Sequence, residues 1–263
     1  MSLTDDQRRD FAEHGWLVLR GVVEPARVAA LEAALDGLFP ELYYAAGYTG
    51  RVVEIASASR GSSVLAEHAH DRRIAALAAE ALDVARLRFF QDTVFIKPSV
   101  GGGRVEWHQD YAYFSFLDRP VGLTARLALT PCTVENGCMR VVSGSHRWGL
   151  AGGGLSFRAD GVTSALGALT DEQRAIVETQ QTPLELQPGD VSLHHCLLFH
   201  ASFDNPSPRP RKTLAVRLVD GDVRLDAARL PSPELAAYFP TDDLGGLRED
   251  AFPLLYGAAG AAR

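Results

Sequence analysis

Apolar positions recur at helical spacing in the first third of the chain and at strand spacing through the middle. TDDQRRDFAEHG opens with Thr4, carries Gln7 three positions on and is followed by Gly15, the pattern of a short helix with a reciprocal N-terminal cap and a glycine stop. WLVLRGVV is strand-like. EPARVAALEAALDGLF places Val28, Leu31, Leu35 and Leu38 on one helical face behind Pro25, with its charged face toward solvent, and DRRIAALAAEAL predicts a further helix. From about residue 85 the texture becomes β-branched and apolar: RLRFFQDTVFIKPS, GLTARLALTPC, MRVVSG, DVSLHHCLLFHAS and RKTLAVRLV are strand candidates separated by Gly, Pro, Asn and Asp. DEQRAIVETQ interrupts them as a helix capped by Thr170.

Between Pro40 and Ser63 the pattern is irregular, as is the Gly-rich stretch 149–168, and long irregular segments of this kind are candidates for covers over a site. After residue 220 the chain reads as loops and surface helix with a Gly/Ala-rich end. With neither repeat nor linker, the expectation is a single domain over 1–263: helices over about 4–82, a β core over about 85–220 and a tail over 221–263. Helices first and strands afterwards predict a mainly β fold with flanking helices, a sandwich or barrel instead of an alternating βαβ sheet.

Composition narrows the partners. A formal charge of -7 without a Lys/Arg stripe argues against nucleic acid, and no apolar run approaches a membrane span. The polar, acidic N-terminus has no apolar signal region, so a cytoplasmic location is expected. Three cysteines without CxxC spacing suggest reduced, buried thiols and neither a disulfide framework nor a structural zinc site. Oligomeric state is not legible.

The chemistry centres on WHQDYAYF. His108 and Asp110 lie two positions apart, so on an extended strand an imidazole and a carboxylate point to one place, two-thirds of a two-histidine, one-carboxylate iron site. A third ligand is available among His194, His195 and His200. Read as one strand, DVSLHHCLLFHAS puts His194, Cys196, Leu198 and His200 on one face and His195 on the other. His200 has the better context, because Arg211 opens the next strand and its planar fork suits an anionic co-substrate. In the strand before, Gln91, Thr93, Phe95 and Lys97 share parity, which makes Gln91 a candidate for co-substrate or substrate. A buried histidine hydrogen-bonded to a carboxylate is the bland alternative for His108 and Asp110, as a solvated charge is for Arg211.

WHQD, the turn ENGCMRVVSGSHRWG and HASFDNPSPRPR, in this order, resemble the phytanoyl-CoA dioxygenase family of Fe(II)/2-oxoglutarate oxygenases over roughly residues 5–220. The resemblance implies a double-stranded β-helix, or jelly-roll, core. It implies His108, Asp110 and His200 as iron ligands and Arg211, eleven residues beyond His200, as partner of the far carboxylate of 2-oxoglutarate. Ser202, Lys97, Gln91 and Thr130 are further co-substrate candidates; Tyr113, His194 and Phe95 are substrate candidates. The ENG and GSHR turns look structural, with Gly137 and Gly144 relieving the backbone and Asn136 bonding locally, and His146 is not expected to ligate.

The implied cofactors are Fe(II), 2-oxoglutarate and dioxygen. The implied reaction is hydroxylation of an unactivated C–H bond in a small metabolite, free or carrier-tethered, with a tailoring step of specialised bacterial metabolism as the analogy. Related halogenases lack the carboxylate ligand, so Asp110 points to hydroxylation. Desaturation, epoxidation and cyclisation by the same site, a 2-oxoglutarate-independent cupin and a degenerate metal-binding module are the rivals.

Overall fold

The computed structural model describes residues 1–38, 52–99, 102–151 and 165–257. Of the expected cover segments, 40–63 and 149–168, residues 40–51 and 152–164 lie outside them. In chain order the elements are α1 (Asp5–His14), β1 (Trp16–Leu19), α2 (Pro25–Leu38), β2 (Val53–Ala56), α3 (Ser63–Ala69), α4 (Arg72–Leu82), β3 (Leu87–Lys97) and β4 (Val105–His108). There follow β5 (Gly122–Ala128), β6 (Met139–Val142), α5 (Asp171–Thr179), β7 (Gln181–Leu184), β8 (Val191–His195), β9 (His200–Ser202), β10 (Arg211–Asp220) and β11 (Leu254–Tyr256).

Local signals hold where expected. Thr4 and Gln7 exchange hydrogen bonds of 2.9 and 3.2 Å across the first turn of α1, and Gly15 ends it at φ 78°. Thr170 and Gln173 do the same for α5.

Every described strand pairing is antiparallel. The larger sheet runs β1-β8-β5-β10-β3-β11, with β2 also on β3, and the smaller runs β4-β9-β6-β7. Together they form the double-stranded β-helix. Alternation sorts the large sheet: Leu123, Leu127, Leu193, Leu214 and Val216 face the helices and bury with Leu31, Leu35 and Leu77, while the opposite parity faces the smaller sheet. Lys212, on the helix side, is held by Glu32 and Asp36 at 2.9 Å each. Among the described residues no helix is long and apolar enough to cross a membrane.

Three expectations are corrected. The irregular segment before Ser63 contains β2, a strand of the large sheet, because Val53 is buried against the helical layer while Glu54 faces the other way. DVSLHHCLLFHAS is two strands, not one: the chain turns at 196–199, so β8 pairs in the large sheet and β9 in the small one. The stretch after 220 holds the expected loops and short surface helices, Ala227–Arg229 and Pro233–Tyr238, but the pattern does not predict its docking on the β core. β11 joins β3, and Phe239 and Phe252 pack into an aromatic cluster with Phe90, Phe114 and Phe116.

Candidate active site

The two sheets enclose a cavity of about 430 Å³, with the sequence-singled triad on its wall. β4 ends at His108, opposite His200 of β9 in the small sheet. Asp110 does not lie on the strand with His108, where the spacing puts it, but opens a 3-10 turn, Asp110–Phe114, after extended Gln109. The convergence survives: the Nε2 atoms of His108 and His200 each lie 3.8 Å from Asp110 Oδ1.

Hydrogen bonds fix the protonation of this group. His108 Nδ1 lies 2.7 Å from the Glu106 carbonyl and His200 Nδ1 2.9 Å from that of Leu198; a carbonyl only accepts, so each Nδ1 carries the hydrogen and each Nε2 presents a lone pair. Burial pushes both imidazoles below their ordinary pKa, which favours the neutral, ligating form. Burial works against ionising Asp110, but Arg217 and the histidines overcome it and hold the carboxyl well below the usual range. Asp110 Oδ2 accepts from Thr124 Oγ1 at 2.5 Å and lies 3.3 Å from His194 Nε2, while Arg217 Nη2 is 3.8 Å from Oδ1. Two neutral imidazoles and one carboxylate suit Fe(II) and leave coordination positions open.

An arginine pair, Arg211 and Arg126, lines the same cavity. Arg211 is 2% exposed, donates from Nη1 to the Gly137 carbonyl at 2.8 Å and leaves Nε without a partner among the described residues. Arg126 donates from Nε to Thr213 Oγ1 at 3.1 Å, lies over the Phe95 ring at 5.3 Å and has a pKa lowered to about 10 by burial and by Arg211. A buried guanidinium with a free donor asks for an anion, so this end fits a carboxylate. The ENG turn also serves the site. Gly137 adopts φ 71°, where an added Cβ would lie 2.3 Å from the Phe203 carbonyl, and its own carbonyl receives Arg211.

With that geometry in view, the family model described as phytanoyl-CoA dioxygenase (PhyH) matches residues 11–213. The chain belongs to the phytanoyl-CoA dioxygenase family. It is 32% identical over 128 residues to phytanoyl-CoA dioxygenase 1 of Oryza sativa subsp. japonica, covering 48% of this chain and 42% of that protein. It is 29% identical over 228 residues to the ectoine dioxygenase of Sphingopyxis alaskensis, covering 78% and 72%. The chain thus spans less than half of the rice relative. Among solved structures, the epimerase SnoN in complex with Fe3+, alpha ketoglutarate and nogalamycin RO superposes with TM-score 0.75 at 25% identity, over 95% of this chain and 98% of that one.

Other sequence candidates of this family member divide. Gln91, Phe95, Ser202, Tyr113 and His194 line the cavity, Tyr113 with its ring 5.6 Å from that of His108. Lys97 and Thr130 do not. Although opposite Arg211 in register, Lys97 donates from Nζ to the Phe203 carbonyl, and burial lowers its pKa to about 6. Thr130 Oγ1 accepts from the Lys212 backbone at 2.9 Å. His195 accepts from the Leu197 amide at 3.1 Å, and His146 Nε2 lies 3.2 Å from the Ala12 carbonyl.

Sequence reasoning missed Thr124, Arg126, Arg217 and Glu54, all on the cavity wall. A signal was there: in GLTARLA the polar Thr124 and Arg126 alternate with Leu123, Ala125 and Leu127, and Arg217 shares parity with Arg211.

Proposed function

We propose that the protein is an Fe(II)- and 2-oxoglutarate-dependent oxygenase that hydroxylates an unactivated C–H bond of a small metabolite. The observation that carries this reading is the meeting, in one cavity, of two outward Nε2 lone pairs and Asp110 Oδ1 with a buried arginine whose Nε is unpartnered. His108, Asp110 and His200 would hold the metal, and Arg211 with Arg126 and Ser202 would hold the far carboxylate of 2-oxoglutarate. The bound iron and co-substrate supply insertion of one oxygen atom of dioxygen into the substrate C–H bond, the other entering succinate as carbon dioxide leaves.

The chain's own contribution is orientation and exclusion of water. The Glu106 and Leu198 carbonyls lock both imidazole tautomers, so no proton need be lost from Nε2 for ligation. Thr124 and His194 occupy Oδ2 of Asp110, leaving Oδ1 turned toward the histidines. Apolar side chains form most of the rest of the wall and exclude water from the reacting bond. The intact ligand set and the arginine support turnover over a degenerate binding module, and Asp110 supports hydroxylation over halogenation.

The test is anaerobic titration of metal-free protein with Fe(II) and then 2-oxoglutarate. A weak visible band of the bidentate 2-oxoacid is expected in wild type and absent from His108→Ala. No band in wild type at saturating iron and co-substrate would overturn the reading.

A further inference from the structure

The cavity continues past the metal-facing atoms into a region that the co-substrate reading leaves unused. Arg217 lies six residues beyond Arg211 on the same face of β10, with Ala215 between them on the cavity wall. Its Nη1 donates to Thr93 Oγ1 at 2.8 Å and to Gln91 Oε1 at 3.3 Å, which steers Nη2 toward the site, 3.8 Å from Asp110 Oδ1. Beside it the register of β3 against β10 shifts: Arg217 faces Gln91 but Leu218 faces Phe89, so Phe90 is the extra residue of a bulge. Bulges re-aim side chains next to active sites. Here Phe90 and Gln91, adjacent in sequence, both line the cavity, and Phe90 packs on Phe114 at 5.4 Å and Phe239 at 5.7 Å.

Charge then selects what this region takes. The described lining holds three guanidiniums, Arg126, Arg211 and Arg217, against two carboxylates, Glu54 and Asp110. A divalent iron and a dianionic co-substrate cancel, which leaves one positive charge in excess. Asp110 is the nearest counter-charge to Arg217, and coordination to iron commits it elsewhere while placing a cation beside the guanidinium. Without an anion there, that arrangement is repulsive in a low-dielectric site.

We propose that this end of the cavity is the substrate site and that it takes an apolar, ring-bearing carboxylate, the carboxylate on Arg217 and the apolar body against Phe90, Phe114, Phe116 and Phe239. This inference rests on the oxygenase reading above. Gln91 and Thr93 are positioning residues for the Arg217 fork. Glu54, on β2 at the other flank of β3 in the same sheet, opposes an anion, and burial, which raises its pKa, weakens that opposition.

The test is calorimetry on the anaerobic Fe(II) and 2-oxoglutarate complex with three probes of one shape: hydrocinnamate, hydrocinnamamide and phenylpropylamine. Wild type binds hydrocinnamate about tenfold more tightly than the amide, the margin of a charge-assisted over a neutral hydrogen bond, and the amine most weakly. Arg217→Gln abolishes the preference, and Arg217→Lys keeps part of it. Glu54→Gln tightens hydrocinnamate a few-fold and leaves the amide unchanged, which serves as the deciding arm should Arg217→Gln not fold. Equal binding of acid and amide, no binding of any probe, or a preference untouched by both Arg217→Gln and Glu54→Gln would overturn the inference while leaving the oxygenase reading intact. Failure of wild type to take up 2-oxoglutarate would overturn both.

Discussion

The two ends of the cavity are built differently. At one, Arg211, Arg126 and Ser202 project from β10, β5 and β9, so strand alternation and ladder hydrogen bonds set their positions. At the other, Phe90 arrives through a bulge, Phe114 from the end of the 3-10 turn that Asp110 opens, Phe116 from just beyond it, and Phe239 from beyond the β core. On the proposed assignment the co-substrate would be met by the regular part of the fold. The substrate would meet Arg217 of the same regular β10 and, for its apolar body, irregular backbone and a late segment, where substitution disturbs the sheets least.

The largest expected effect lies where both ends meet. Asp110→Ala removes the only carboxylate of the metal-facing group, and iron affinity should fall by more than the roughly 10- to 100-fold typical of losing an outer-shell partner. Equilibrium dialysis checks it, and near-normal iron uptake would contradict the ligand assignment. At the co-substrate end, Arg211→Ala should raise the KM for 2-oxoglutarate by about 10- to 100-fold and hardly alter probe binding at the other end. If both ligands weaken equally, the ends are not separable.

Phe239→Ala reverses the pattern. It thins the stack on Phe90 at 5.7 Å, so all apolar probes should weaken several-fold while 2-oxoglutarate binding holds, with about 2 kcal/mol lost in a denaturant melt because this ring is only partly buried. The smallest effect is expected at Lys97. Its amine faces the Phe203 carbonyl and not the cavity, so Lys97→Met should change the KM for 2-oxoglutarate less than about twofold if the residue lies outside the carboxylate's reach, where an ammonium contact would contribute more. The same variant carries a pH signature. With a native pKa near 6 against an ordinary 10.5, the unfolded chain binds more protons in that window, so wild-type stability falls as pH drops from about 10.5 toward 6. That slope should flatten in Lys97→Met, and an unchanged slope in pH-resolved melts would show that the ammonium is not held neutral.

Part of this site was legible and part was not, for local reasons. His108, Asp110, His200 and Arg211 were readable because ligand types at short spacing stand out in apolar strands. The argument that linked His194 to His200 by parity along one strand failed, because the chain turns at 196–199 and crosses from the large sheet to the small one. The two still come together at Asp110, by closure of the sheets and not by alternation. Lys97 shows the converse. Its parity with Gln91 and Phe95 holds along β3, yet Nζ donates to the Phe203 carbonyl and the side chain stays off the cavity wall.

What the sequence by itself determined is the chemistry of single positions and the alternation within each strand: two histidines and an aspartate able to hold a metal, an arginine able to hold a carboxylate, caps that start α1 and α5. These are one-dimensional properties, set by residue type and by a period of two or of about 3.6 residues. Only the tertiary structure decided that Thr124, His194 and Arg217 surround Asp110, that Arg126 joins Arg211, and that Phe239 closes the far end. Those meetings depend on which strands pair, where β3 bulges and how the sheets close over one another, and no local spacing encodes a contact such as that of Asp110 with Arg217, more than a hundred positions away.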